Sequence, residues 1–230
     1  MDHSQITKPD MELSLAVFKE PRGVMRILQF IFSICAFATT TGFTSDVILT
    51  VRCDQNSSYP EMPYRFEYSY PFRLDTVMQT VCDNPFHLVG DFSSDAQFFV
   101  ATGVLSFLYC IFIGIVYLLY DALYQRKDIL PLADFVLTVV LAVFWLSGSA
   151  AWANGLSGLK QTTGSINNSK QCDNIICLAN PKVGSVTELN ISVILGFLNF
   201  FLWGSDLWFL YKETSWFKAK QTSSGMATTA

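Results

Sequence analysis

Apolar residues collect in four long runs along the chain, and polar residues fill the segments between them. The runs cover residues 24–43, 96–120, 129–152 and 189–211. Since bilayer hydrocarbon is about 30 Å thick, a helix needs about 20 apolar residues to cross it, and each run is long enough. Buried helices of soluble proteins are usually shorter and amphipathic. The pattern therefore predicts four transmembrane helices.

Composition supports a membrane protein and excludes other classes. Hydrophobic residues make up 51% of the chain and charged residues 15%, against roughly 25% charged in soluble domains. A chain this apolar does not stay disordered, and a net charge of −4 without a basic stripe disfavours nucleic-acid binding. The sequence contains no hydrolase, phosphate-loop or zinc-protease motif, so we expect no catalytic residue, no cofactor and no enzymatic activity.

Basic residues near the ends of the runs predict the orientation of the helices. Arg126 and Lys127 lie in the short connection between the second and third runs, and other basic residues flank both ends of the membrane domain, residues 24–214. We therefore expect the tails, residues 1–23 and 215–230, to be cytoplasmic. A signal peptide cleaved near Ala38 is the alternative, but the long polar segment before the first run favours an uncleaved span.

The two long loops contain pairs of cysteines. Cys53 and Cys82 lie in loop one, residues 44–95, whereas Cys172 and Cys177 lie in loop two, residues 154–188. Even numbers on one side of the membrane predict disulfides in an oxidising lumen. Their spacing gives no metal site.

Glycosylation sequons also fall in these loops. We expect glycans at Asn56 and Asn167, whereas a third sequon at Asn190 lies too close to the membrane.

Loop one also shows strand patterns. Residues 64–70 alternate aromatic and polar side chains, and residues 47–51 form a second strand candidate. We expect a small luminal β element tied by Cys53 and Cys82. A disulfide-tied loop without a sheet is the alternative.

Two carboxylates, Asp134 and Asp206, interrupt the third and fourth runs, where a charge is costly. The simplest explanation is structural. Asp134 lies near the positive end of its helix dipole, and Asp206 reaches Lys212 or a polar neighbour. A proton or cation relay is the alternative.

Small residues recur in the second and fourth runs. Such residues allow helices to approach closely, although ordinary glycine and serine content of a span is the alternative explanation. The predicted helix-packing positions are Thr102, Ser106, Cys110, Gly114 and Gly196.

Other side chains have predicted roles at the lipid boundary. Leu119, Tyr124 and Arg126 fit a proposed cholesterol-contact pattern. Trp152 and Trp208, together with Trp216, are expected to anchor the helices at the membrane interfaces.

Several ordered motifs resemble the synaptophysin family within the wider MARVEL superfamily. They are Lys19–Pro21, Ala36–Thr39, Tyr70–Leu74, Gly90–Ser94, Trp145–Leu156 and Gly196–Thr214. The resemblance implies an all-α membrane protein with a four-transmembrane-helix MARVEL bundle and two luminal disulfide loops. It also implies residence in synaptic or small transport vesicles, homo-oligomerisation, cholesterol association and partnership with the fusion protein synaptobrevin.

The chain departs from the family pattern at some positions. Family members usually have Lys, Glu and Asn where this chain has Asn154, Gln97 and Asp206. Its short tail lacks the repeats of neuronal synaptophysin, which favours a pantophysin-like or mitsugumin-like member. A channel-like oligomer and an organiser of junctional membranes are the competing functions.

Overall fold

The computed structural model describes residues 20–53, 60–126, 129–166 and 176–214. The helices in these ranges are α1 (Pro21–Thr41), α2 (Ser93–Arg126), α3 (Ile129–Gly164) and α4 (Thr187–Glu213). The strands are β1 (Thr44–Arg52), β2 (Met62–Ser69), β3 (Met78–Val81), β4 (Asn84–His87) and β5 (Ile176–Val183).

All four helices are long and apolar enough to cross a membrane, as the sequence predicts. Within their most apolar segments only 28–33% of the residues are buried, and many of the buried ones are polar. This distribution suits a protein whose solvent is hydrocarbon, because apolar side chains lose nothing by facing lipid. The protein is a multi-pass integral membrane protein.

The helix ends differ from the ends of the predicted spans. Helix α1 ends at Thr41, before Phe43. Helix α3 continues to Gly164, so the first part of the predicted loop two, which begins at residue 154, is helical. Hydropathy locates the part of a helix that lies in lipid, and it does not detect a polar extension of the same helix.

Local signals account for several helix starts. Pro21 is the first residue of α1, where its missing N–H costs nothing, and Pro131 lies in the first turn of α3. Before α2, the Asp91 Oδ1 atom accepts the backbone N–H of Ser93 at 2.8 Å. Hydrogen bonds from the Ser93 side chain and backbone lower the pKa of Asp91, which keeps it charged at the positive end of the helix.

The chain divides into two compact units, and each helix contributes residues to both. Among the described residues, the first unit comprises 20–31, 106–126, 129–142 and 201–214, and the second comprises 32–53, 60–105, 143–166 and 176–200. All the strands belong to the second unit.

The second unit contains a three-stranded antiparallel sheet in the order β2-β1-β5. Phe66 and Tyr68 of β2 are buried while Arg65 and Glu67 are exposed, which confirms the half-buried strand expected from the alternation. The prediction placed this sheet in loop one alone. The pairing of β1 with β5 joins both loops in one sheet, and loop two supplies an edge strand.

A hairpin of β3 and β4 completes the strands of loop one. Its two-residue turn consists of Cys82 and Asp83, both with positive φ, as the primed turns of tight hairpins require. Cys82 forms a disulfide with Cys53 at the end of β1. The predicted disulfide-tied β element is therefore confirmed.

Aromatic rings in tilted and edge-to-face contact fill the interior of the second unit. Phe72 lies 6.1 Å from Phe43 and 5.2 Å from Trp152, measured between ring centroids. Phe99 lies 6.4 Å from Trp152 and 5.7 Å from Trp145. These contacts connect the loop-one segment to α2 and α3, and such pairs contribute about 0.5–1.5 kcal/mol each beyond their burial.

The predicted interfacial role of Trp152 is wrong. The side chain is fully buried, and its Nε1 donates to Ser192 Oγ on α4 at 2.9 Å. A buried indole needs an acceptor, which Ser192 supplies. Trp208 is 57% exposed, as an anchor would be. Trp216 lies outside the described residues.

Replacing Gly196 with alanine tests helix packing in this unit. A Cβ at Gly196 would overlap Ser149 Oγ and lie 2.5 Å from Phe99 Cε2. We expect Gly196→Ala to lower the free energy of unfolding by about 1–3 kcal/mol, measured by thermal unfolding in mild detergent. Gly204→Ala in the same helix meets no atom within 4 Å, and should leave the stability unchanged or raise it by up to about 1 kcal/mol.

Removing the disulfide tests the link between β1 and the hairpin. The two cysteines are 29 residues apart, so Cys53→Ser with Cys82→Ser should cost about 3–4 kcal/mol through loop entropy. The expected readouts are a lower unfolding midpoint and loss of the mobility difference between reduced and non-reduced gels. Cys35→Ser, which removes a free exposed thiol, should change neither.

Candidate functional site

Helix α1 presents a polar stripe to the interior of the protein. Its buried members follow spacings of three, four and seven residues, which place them on one face of a helix. They are Arg22, Arg26, Gln29, Ser33 and Thr40. The remaining faces of α1 expose apolar side chains such as Val24, Ile27 and Ile31. The helix therefore carries its polar groups inward, and Arg26 and Gln29 meet partners from the first unit.

The Arg26 guanidinium forms an ion pair with Asp134 of α3. Nη2 lies 2.6 Å from Asp134 Oδ1 and also donates to Thr138 Oγ1 at 2.7 Å. Two tyrosines of α2 donate to the same carboxylate, Tyr109 at 2.5 Å and Tyr117 through its hydroxyl. Both members of the ion pair are at most 2% exposed. Asp134 is thus surrounded by donors, as a carboxylate in an apolar environment requires.

Asp206 of α4 shares the same cation. Arg26 Nη1 lies 3.2 Å from Asp206 Oδ2, and Gln29 Nε2 donates to that oxygen at 3.1 Å. Gln29 accepts from Arg26 Nη1 at 2.8 Å, so its amide connects the arginine to Asp206. A single arginine of α1 therefore contacts acidic side chains of both α3 and α4.

Aromatic rings enclose the guanidinium. Arg26 Cζ lies 5.3 Å from the ring centroids of both Tyr109 and Trp203. One turn away, Arg22 lies over the Tyr117 ring at 5.1 Å and pairs with Glu20 at 2.9 Å. Cation–π contacts gain strength in dry surroundings. They help Arg26 stay charged without water.

We call this set of side chains the Arg26 cluster. Its members are Arg26, Gln29, Tyr109, Tyr117, Asp134, Thr138, Trp203 and Asp206. All four helices contribute to it. In the part of the chain that the structure describes, no group of three His, Cys, Asp or Glu residues is placed to hold a metal ion. The cluster is arranged to join helices, since its donors and acceptors face one another.

The sequence located Asp134 and Asp206 but missed their partner. The structural explanation predicted for the two carboxylates, the helix dipole for Asp134 and Lys212 or a polar neighbour for Asp206, did not include Arg26, which pairs with both. Asp206 contacts a polar neighbour, Gln29, whereas Lys212 lies over the Trp208 ring at 5.0 Å. The heptad-like spacing of polar residues in α1 is the signal that identifies the missed side chains.

The small residues of α2 lie in different environments. Thr102, Ser106 and Cys110 are buried. Gly114 has no atom within 4 Å of a Cβ built on it. It lies in a groove of about 240 Å³ between α1 and α2, whose other lining residues are Arg26, Ile27, Phe30, Cys110, Ile111, Ile115 and Leu118. We call it the Gly114 groove.

Other predicted site residues fall outside the described part of the chain. These are Asn56, Asn167 and Cys172, while Cys177 lies in β5 and only its backbone is described. The second disulfide and the glycans therefore stay predictions, and so does the cholesterol-contact pattern at Tyr124 and Arg126.

Removing the shared cation tests the Arg26 cluster. Arg26→Gln leaves two carboxylates buried without their counter-charge, and we expect it to destabilise the protein by about 3–5 kcal/mol. Thermal unfolding in mild detergent and elution as a folded species measure the loss. Lys212→Gln, at an exposed position of α4, should change stability by less than about 0.5 kcal/mol.

A double-mutant cycle checks that the effect comes from the ion pair. Arg26→Gln combined with Asp134→Asn should cost less than the two single losses added together, because the carboxylate of Asp134 is then no longer left without its cation. Additive losses would contradict the pairing.

A comparison with known families agrees with this architecture. Residues 17–209 match the MARVEL family, described as a membrane-associating domain. The match spans all four helices and the strands between them. The chain belongs to the MARVEL family of membrane-associating proteins.

Proposed function

We propose that this protein is a non-enzymatic organiser of synaptic or small transport vesicles, and that it holds a fusion protein of the synaptobrevin type. Membership of the MARVEL family and four membrane-crossing helices support a role within the membrane. The ordered motifs resembling the synaptophysin family support the vesicle assignment. Both tails face the cytoplasm in this proposal, and the sheet with its disulfide faces the lumen.

The Gly114 groove is the observation that carries the proposal. It lies where three isoleucines, Ile27, Ile111 and Ile115, are 40–48% exposed. The missing Cβ of Gly114 leaves the backbone of α2 open to close approach. Glycine interfaces of this kind allow transmembrane helices to pack tightly.

Helix geometry explains why the small residues of α2 lead to this groove. An α-helix turns about 100° per residue, so positions four apart drift by about 40° around the axis. Thr102 therefore faces inward, while Gly114, three such steps later, faces the groove. Thr102, Ser106 and Cys110 are buried and pack α2 within the protein. Gly114, the last small residue of this row, is open to a partner.

The occupant of the groove is a single apolar transmembrane helix of the fusion protein. Backbone polar groups in lipid must be paired within the segment, so a membrane partner at this depth is a helix. Apart from Arg26, which is paired with Asp134 and Asp206, the residues lining the groove are apolar, which suits an apolar helix. Membrane lipid, including cholesterol, and further copies of the chain surround the remaining apolar faces in this proposal.

Filling the groove tests the proposal. Gly114→Leu places a branched side chain in the space for the partner, and we expect recovery of a synaptobrevin-type protein to fall several-fold when tagged protein is purified from vesicles in mild detergent. Gly204→Leu is the matched control, because Gly204 is also open within 4 Å but does not line the groove.

The outcomes separate the parts of the proposal. Equal recovery with both variants would place the partner elsewhere on the protein. Tagged wild-type protein that is found outside vesicles, or that elutes as a monomer without a fusion protein, would overturn the function. If the purified Gly114→Leu variant carried less bound lipid or cholesterol than the wild type but as much protein partner, the groove would be a lipid site.

A further inference from the structure

The α2 wall of the Gly114 groove has the form of a packing hole. Its central residues are Ile111, Gly114, Ile115 and Leu118. Their spacing of i, i+3, i+4 and i+7 places them on one face of the helix, and four neighbours of this kind form the hole that receives one side chain of a facing helix in knobs-into-holes packing. A Cβ at Gly114 meets no atom within 4 Å. The hole therefore reaches down to the backbone of α2.

Helix α1 forms the other wall of the groove. Ile27 and Phe30 line it, and the Phe30 ring stacks on Phe107 of α2 with 5.2 Å between the ring centroids. The side chains of Ile27, Ile111 and Ile115 are exposed. Because β-branched side chains have few rotamers in a helix, these isoleucines form a stiff rim that does not collapse into the space.

The size of the groove decides what fills it. An apolar cavity of about 150 Å³ holds a benzene ring, and the groove measures about 240 Å³. A glycine or alanine on the partner helix would leave most of this space unfilled. Such a void loses dispersion contacts, which are a main attraction between helices in lipid. The volume therefore favours a large side chain on the partner helix.

The Arg26 side chain distinguishes an aromatic occupant from an aliphatic one. It lines the groove, and its guanidinium is paired with Asp134 and Asp206. Two aromatic rings, those of Tyr109 and Trp203, lie 5.3 Å from its Cζ atom. A guanidinium attracts the faces of aromatic rings, so a ring in the groove gains a contact that a leucine does not.

We propose that the partner helix inserts one aromatic side chain of phenylalanine size over Gly114. This side chain fills the hole, packs on the backbone of α2 and determines which transmembrane helix binds. The inference rests on the proposed function, because it specifies the partner helix at the same groove.

The depth of the groove fixes where the aromatic residue lies along the partner. Gly114 is five residues before the end of the membrane-crossing segment Ser93–Leu119 of α2, which is about 7–8 Å at 1.5 Å per residue. Ile27 is six residues after the start of α1, which is about 9 Å by the same rise. Both helices place the groove at a similar depth below one membrane surface. The aromatic residue therefore lies five or six positions from the end of the partner's span.

Synthetic transmembrane peptides test the proposed side chain. The probe is a leucine–alanine helix with a variable residue five positions from each end, so that either orientation in the bilayer presents one to the groove. Energy transfer between labelled peptide and purified protein in phosphatidylcholine vesicles measures binding. We expect phenylalanine to bind about five-fold more tightly than alanine, as one aromatic packing contact implies. The same phenylalanines moved to the centre of the peptide are the matched control and should bind like alanine.

A larger residue at the base of the hole provides a second measurement. The methyl group of Gly114→Ala occupies part of the space without meeting an atom within 4 Å, so the fold should be preserved. We expect the phenylalanine peptide to lose affinity several-fold while the alanine peptide binds as before, because only the larger side chain reaches the base of the hole. Gly204→Ala, which lies outside the groove, should leave both affinities unchanged.

The outcomes separate this inference from the proposed function. Equal binding of the phenylalanine and alanine peptides, with both weakened by Gly114→Leu, contradicts the aromatic side chain but keeps the groove as the partner's site. Tighter binding of the alanine peptide contradicts it too and favours direct backbone contact. If no peptide binds, the inference is wrong, and recovery of the fusion protein from vesicles judges the proposed function on its own.

Discussion

The ion pair between Arg26 and Asp134 is the interaction on which the first unit depends. A guanidinium in hydrocarbon is tolerated only when the protein supplies a counter-charge and hydrogen-bond acceptors for it. Arg26 lies against the Tyr109 ring of α2 and pairs with Asp134 of α3 and Asp206 of α4. In lipid the hydrophobic effect does not draw helices together, so polar contacts and close packing must do so. The cluster therefore fixes which face of each helix points inward.

The sequence predicts those elements of the fold whose residue pattern is determined by the surrounding lipid or water. Four apolar runs identify four helices because lipid demands length and apolarity of any segment that crosses it. The alternation around Phe66 and Tyr68 identifies β2 because one face of that strand is buried. Pairing of cysteines within loop one identifies the Cys53–Cys82 disulfide. Each of these signals is local, and each is readable without knowing which segments meet.

The sequence does not reveal contacts between distant segments. Arg26 and Asp134 are far apart in the chain, and a basic residue near a span end is ordinarily an interfacial one. Trp152 is a tryptophan near the end of a predicted span, as an interfacial anchor would be, yet the rings of Phe72 and Phe99 pack against it and it is buried. Gly114 continues the four-residue spacing of Thr102, Ser106 and Cys110, but in the structure it lies at the open groove whereas the other three are buried. Strand β5 carries no strong alternation of its own, and its place is decided by the free edge of β1.

The central position of β1 has a consequence for biogenesis. Its two neighbours lie far apart in the chain, since β2 follows it directly while β5 is synthesised only after α2 and α3. A nascent chain therefore carries one unsatisfied row of backbone amides and carbonyls while two helices are being inserted. The second loop must reach the same side of the membrane as the first to complete the sheet, so correct insertion of α2 and α3 is a precondition for finishing it.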